Sequence, residues 1–137
     1  VAIGRMTDTV EQRTEVTVSL EGRAPKLPTH VSRELFLIAS EAVRNAVMHG
    51  EPSLIELKWT THDRATSQAA MLEIRDDGSG ISTDNGYTSG RGIAIMRHRA
   101  SVIGGAFEIV SPNEGGTIVR CRVPMPSRAA GLPNEEA

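Results

Sequence analysis

Glu41, Asn45 and His49 recur at four-residue intervals in the stretch EAVRNAVMHG. On an α-helix, residues so spaced drift only about 40° per step, so the three form one stripe. A carboxylate and an amide offer hard oxygen ligands, which suit Mg²⁺ better than Zn²⁺. Two readings stand. The stripe is a solvated polar face, the usual fate of such a pattern on a lone helix, or it lines a pocket. Ile38, Ala42 and Ala46 lie beside it, so it borders the side that faces a core. A lone histidine such as His49 is more often a packed or capping residue than a metal ligand.

DDGSG, Asp76 to Gly80, closes a strand-like run. Adjacent strand residues point to opposite faces, so Asp76 and Asp77 cannot both face one pocket. The plain reading is a turn built from favoured turn residues. The functional reading has Asp76 projecting an acceptor carboxylate into a pocket, with Gly78 and Gly80 letting a flat ligand approach the backbone. SGRGIAIM, Ser89 to Met96, runs a G-x-G into a helix start, where free N–H groups and the helix dipole favour anions. EGGT, Glu114 to Thr117, reads by itself as a hairpin turn. Arg97 and Arg99 are either a solvated helix face or phosphate contacts. Cys121 alternates with Val119 and Val123 as a core residue, and Trp59 is strand packing. No Walker A, G-x-G-x-x-G after a strand, G-x-S-x-G or EF-hand pattern occurs.

The elements that must carry these residues follow from periodicity. TEVTVSLEG (14–22) alternates and is β-branched, so it is a strand. THVSRELFLIASEAVRNAVMHG (29–50) is a long helix, with Thr29 or Ser32 as cap, Glu34 in its first turn, and Gly50 and Pro52 ending it. SLIELKWT and AAMLEIRDD are paired strands around the polar turn THDRATSQ. Residues 78–92 form a loop rich in Gly, Ser, Asp and Asn. IAIMRHRASVIGG (93–105) is a second helix, and AFEIVS and GTIVRCRVPM are closing strands. The order β-α-β-β-loop-α-β-β is not an alternating βαβ pattern. It predicts an α+β two-layer sandwich, helices on one face of a mixed, mostly antiparallel sheet. Residues 1–13 are a helix or linker, 14–126 the folded domain and 127–137 a disordered polar tail.

At 137 residues the chain is one domain able to bury a core. A net charge of -2 gives no electrostatic case for nucleic acid or an anionic membrane. One cysteine excludes a disulfide framework and a thiolate metal cluster, and points to a reducing compartment. No apolar run approaches the ~20 residues of a spanning helix. The opening VAIGRM has neither initiator Met nor signal-peptide pattern, as expected of a piece of a longer protein.

Taken in order, E-x-x-x-N-x-x-x-H on a helix, D-x-G-x-G after a strand, G-x-G at a helix start and G-T before a strand resemble the GHKL ATPase superfamily. That group includes DNA gyrase, heat-shock chaperone ATPases, mismatch-repair ATPases and sensor histidine kinases, which share the Bergerat ATP-binding fold. The resemblance runs from about Thr14 to Pro124. Within it, RELFLIASEAVRNAVMHG and the run from GRGIAIM through the Arg-rich helix, the GG turn and the closing strand are most similar to NarL-type sensor histidine kinases. Ile95 departs from the Gly that many of these carry, and GRGIAIM is also similar to anti-sigma-factor serine kinases, the alternative reading.

The resemblance implies ATP and Mg²⁺ as ligands, with Asn45 holding the metal. Asp76 would accept from the adenine amine, supported by Thr117, while Gly78 and Gly80 make room for the base. Residues Ser82 to Ser89 would form the ATP lid, with Gly90 and Gly92 as hinge and phosphate-facing backbone and Ile93 among the nucleotide contacts. His49 would stand near the phosphates. Glu41 is a general base on water in hydrolysing members, and its part in sensor kinases is open. The implied acceptor is a histidine on a separate dimerisation domain of the same protein, with a response regulator downstream. His30, His49, His62 and His98 lie in no such helical motif, so the chain alone is expected to bind Mg-ATP, remain monomeric and not phosphorylate itself; the whole protein would be a homodimer. The expected location is the cytoplasm, with any membrane anchor lying in other segments.

Overall fold

The computed structural model describes residues 3–6, 16–64, 67–80 and 91–125. The elements run β1 (Thr17–Glu21), α1 (Thr29–Asn45), a π-helical turn (Ala46–Gly50), β2 (Leu54–Arg64), β3 (Ser67–Asp76), α2 (Arg91–Val102), β4 (Ala106–Val110) and β5 (Thr117–Met125). Residues 3–6 are helical. The expected 127–137 tail lies outside the described residues.

The strands form one five-stranded sheet in the order β1-β2-β3-β5-β4. β1 and β2 are parallel, as a strand pair joined through a helix must be, and the other three pairings are antiparallel. Period-2 alternation explains the register. Leu57, Ile74 and Val119 lie side by side across β2, β3 and β5, and so do Trp59, Leu72 and Cys121. These side chains face the helices. The other face carries Lys58, Glu73 and Arg120 in one row, with Arg120 bonding Glu73 at 2.9 Å and Glu108 at 2.7 Å. A sheet apolar on one face and charged on the other gives two layers.

α1 presents Val31, Leu35, Ile38, Ala39, Ala42, Val43 and Ala46 to the sheet at helical spacing. α2 adds Ile93, Met96 and Ala100. Arg99 of α2 reaches Glu34 of α1 at 2.8 Å, and Arg97 lies 5.1 Å above the Phe107 ring of β4. The glycine stop reads as expected: Gly104 has φ +68, and the Gly105 N–H donates to the Ala100 carbonyl at 2.8 Å. Cys121 is buried, and burial pushes its thiol up to about 11.

Four local expectations shift. Neither Thr29 nor Ser32 caps α1: the helix begins at Thr29, and the carbonyl of Pro28 accepts from the Val31 and Ser32 N–H groups at 3.0 Å each. Glu34 is not in the first turn but in the interhelical pair. The strands run into the stretch THDRATSQ, β2 as far as Arg64 and β3 from Ser67, because Thr60, Thr61 and their neighbours suit a pleated strand even where it runs past the core. α2 starts at Arg91, so the helix absorbs the second glycine of the G-x-G.

Candidate functional site

A cleft lies between the C-terminal end of α1 with its π turn, Met96 of α2 and the ends of β3, β4 and β5. Asn45, His49, Asp76, Gly80 and Thr117 line it, with Ala42, Ala46, Ile74, Met96, Ile109 and Val119 as its apolar walls. A wider groove runs along β1 past Leu20, Leu27, Phe36 and Trp59, but no carboxylate, amide or imidazole lines it. Convergent polar groups on an apolar wall, more than volume, mark a ligand site.

The D-x-G-x-G turn divides labour as strand geometry requires. Asp76 ends β3 on the inner face, only 9% exposed, and is the single buried charged residue among the described ones. Burial raises its pKa above the usual carboxylate value, opposed by the hydrogen bond from Gly78 and helped by the neighbouring charge of Asp77. Gly78 N–H donates to Asp76 Oδ1 at 2.8 Å. Asp77 points the other way and braces the turn: its Oδ1 accepts from the Ser53 N–H at 2.8 Å and the Leu54 N–H at 3.0 Å. Those bonds hold the Asp77 pKa below the usual value, the one from Leu54 most of all.

The stripe on α1 does not stay α-helical. From Ala46 to Gly50 the chain widens into a π turn, a feature frequent at functional sites, and Glu51 follows in the left-handed region at φ 48. This lays the end of the helix against the glycine turn. Ser79 N–H donates to the Gly50 carbonyl at 2.9 Å, and a side chain on Gly78 would overlap that same carbonyl oxygen. Gly78 therefore serves the junction between helix end and turn. Gly80, at φ +84, borders the cleft itself.

Thr117 of β5 stands directly beside Asp76 of β3 in the antiparallel ladder, as the pairing of these two residues implies. Gly92 lies in the first turn of α2, which holds no acidic residue. A methyl group placed on Gly92 would sit 2.7 Å from Glu41 Oε2 and 2.8 and 3.0 Å from Asn45 Nδ2 and Oδ1. Glu41 is thus beside Asn45 at the helix start, although it does not line the cleft. Ile93 turns its side chain into the core, leaving its backbone for any ligand. Gly90 and the expected lid, Ser82 to Ser89, lie outside the described residues.

Two contributors were not singled out from sequence. Asp77 as a brace follows from strand alternation only once the partner backbone is known. Gly116, at φ +85, abuts the Asp76 backbone carbonyl so closely that a Cβ would overlap it, and the GG before a strand was the only hint. The hard amide oxygen of Asn45, beside the start of α2, fits a Mg²⁺ that keeps most of its waters.

Residues 30–127 match the family described as histidine kinase-, DNA gyrase B-, and HSP90-like ATPase. The chain is 33% identical over 120 residues to the nitrate/nitrite sensor protein NarQ of Escherichia coli (strain K12), covering 86% of this chain and 21% of NarQ. It is 30% identical over 100 residues to the sensor protein VraS of Staphylococcus aureus (strain COL), covering 73% of this chain and 28% of VraS. The chain therefore spans between a fifth and a third of these relatives. Among solved structures, the fold resembles the blue-light activated histidine kinase EL346 of Erythrobacter litoralis (TM-score 0.75, 21% identity, 89% of this chain and 40% of that one). It also resembles the ATP binding domain of PrrB from Mycobacterium tuberculosis (TM-score 0.71, 24% identity, 92% and 93%). With the family match spanning most of the chain and the cleft built on that match, the chain belongs to the histidine kinase-, DNA gyrase B- and HSP90-like ATPases, and residues 30–127 are its ATP-binding domain.

Proposed function

We propose that this chain is the catalytic ATP-binding domain of a two-component sensor histidine kinase, binding Mg-ATP and presenting its γ-phosphate to a histidine on a separate dimerisation domain. The observation that carries the reading is Asp76, the one buried charged residue among those described, set among the apolar walls of the cleft. With Oδ1 held by the Gly78 N–H, its second oxygen accepts from the exocyclic amine of adenine. Thr117 stands beside it to support that contact, and Ile74, Val119, Ile109 and Met96 supply faces for the flat base.

The phosphates then point toward the start of α2, where the backbone of Gly92 and Ile93 offers free N–H groups. His49 sits beside them. Asn45 holds the Mg²⁺. When bound, the ion neutralises the phosphate oxygens and leaves the terminal phosphoryl group electrophilic. The protein's own part is to position, because phosphoryl transfer asks for alignment and charge neutralisation more than covalent chemistry.

The names of the relatives favour a sensor kinase over the anti-sigma serine kinase alternative. On this reading the whole protein is a homodimer through its dimerisation domain, and the phosphate passes on to an aspartate of a response regulator. On the same reading the domain works in the cytoplasm; no described helix is long and apolar enough to cross a membrane.

The test is calorimetric titration with Mg-ATP and Mg-GTP. The chain should bind ATP and discriminate against GTP. Asn45→Ala should weaken ATP binding about tenfold and blunt its dependence on Mg²⁺, and Asp76→Asn should weaken it by ~10-fold or more, the worth of a hydrogen bond to a charged group. Unchanged affinity in Asp76→Asn removes the adenine assignment.

A further inference from the structure

Glu41 stands in an awkward place for a carboxylate. Its Oε2 and both polar atoms of the Asn45 side chain converge on the space beside Gly92, at the amino end of α2. That is where the phosphates of a nucleotide arrive on the reading above, and a bare carboxylate there would repel them.

It is not bare. Arg44 Nη1 lies 3.3 Å from Glu41 Oε2, one turn along α1. The two side chains differ in setting: Glu41 is 17% exposed and Arg44 is 62% exposed. The carboxylate is fixed against the neighbouring helix, and the exposed guanidinium meets the same Oε2 that faces Gly92 at the start of α2. An exposed i,i+3 pair adds little to stability; what it does fix is the position of the cation. A guanidinium has five N–H donors in a planar fork, and one edge on Glu41 leaves others for an oxyanion. Arg44 also complements the helix dipole from the last turn of α1. That role would be served without Glu41.

We propose that Glu41 is a positioning residue: it holds Arg44 beside the start of α2, where the guanidinium meets the terminal phosphate of the bound nucleotide. This rests on the ATP-binding reading. It gives Glu41 a task other than base on water, since its carboxylate is committed to holding the cation.

The two roles for Glu41 differ in the sign of one measurement. If the carboxylate only adds negative charge near the phosphates, Glu41→Gln tightens ATP binding. If it positions Arg44, Glu41→Gln weakens it. Affinities of the chain for Mg-ATP, Mg-ADP and AMP are measured by calorimetry for wild type, Glu41→Gln, Arg44→Ala, Arg44→Lys and the double variant, with melting curves to establish folding. The expected result is a loss of about tenfold for ATP in Arg44→Ala, a smaller loss for ADP and none for AMP. Glu41→Gln should lose severalfold, the double variant should be no worse than Arg44→Ala, and Arg44→Lys should recover part of the loss. Tighter ATP binding in Glu41→Gln overturns the positioning role. Equal losses for ATP and AMP in Arg44→Ala overturn the terminal-phosphate contact. A wild-type chain that binds no nucleotide overturns the functional reading itself, and is recognised by failing before any variant is compared.

Discussion

Gly116 lies against the backbone carbonyl of Asp76 so closely that no side chain fits between them. The turn before β5 is therefore packed onto the residue that forms the cleft floor, and Ser111 ties it further by donating to the Gly116 carbonyl at 3.0 Å.

Gly116→Ala should accordingly be far worse than Gly115→Ala. Both residues have positive φ, +85 and +100, so both substitutions strain the backbone by about 1 kcal/mol. Only at Gly116 does the new methyl also meet backbone; at Gly115 the nearest atom is 3.8 Å away. Denaturant unfolding should give a loss of about 1 kcal/mol for Gly115→Ala and about 3 kcal/mol or more for Gly116→Ala, with ATP affinity lost only in the second. Equal losses would mean that the turn does not support Asp76.

Asp76 should cost the fold stability at neutral pH. Its folded pKa is raised above the ordinary carboxylate value of 3.8, chiefly by burial. The native state thus holds the proton more tightly than the unfolded chain. That contribution is complete below the unfolded value and is lost as pH rises through the folded one. Asn keeps the acceptor for the Gly78 N–H and removes the buried charge. Asp76→Asn should therefore melt higher than wild type at pH 7–8 without nucleotide, and the gap should close toward pH 4. A lower melting temperature at pH 8 would contradict this. Stability given up at a residue that reads a ligand is a common signature of a binding site.

Asp77 should show the opposite sign. Its folded pKa is lowered, mainly by the N–H groups of Leu54 and Ser53. The stability it adds is present above the unfolded value near 3.8 and is lost as pH falls through the lower folded value. Asp77→Ala should cost about 1 kcal/mol at pH 7, a modest figure because the side chain is exposed and screened. The difference from wild type should fade below about pH 3.8. A difference that stays constant down to pH 2 would show that ionic hydrogen bonds are not its source.

These contrasts also show which parts of the molecule were legible in the sequence. Periodicity placed all five strands and both long helices, because each buries one face and the apolar residues must recur at 2 or 3.6. Alternation alone separated Asp76 from Asp77. What was not legible came from contacts between distant segments. Nothing local in AVMHG signals a π turn, which accompanies the hydrogen bond of the Gly50 carbonyl to Ser79, twenty-nine residues on. Thr29 and Ser32 looked like caps by type, yet Pro28 starts the helix through its own carbonyl. Gly116 passed for an ordinary turn glycine because its reason for being glycine is the backbone of another strand. Glu34 looked like a first-turn acid and is half of an interhelical pair with Arg99.

Gly92→Ala separates binding from folding most cleanly. By helix propensity, Ala in place of Gly within α2 should raise stability by up to about 1 kcal/mol. The atoms that the new methyl would crowd are Glu41 Oε2 at 2.7 Å and the Asn45 amide at 2.8 and 3.0 Å, all at the ends of side chains that can turn away. The fold can therefore accept the substitution, but only by moving the two groups that stand at the start of α2. Calorimetry should find Mg-ATP bound about tenfold more weakly, while the melting temperature without nucleotide is equal to or above that of wild type. Wild-type affinity in Gly92→Ala would mean that the placement of Asn45 and Glu41 beside Gly92 has no part in holding the nucleotide. A chain that loses affinity and stability together would instead place the role of Gly92 in packing.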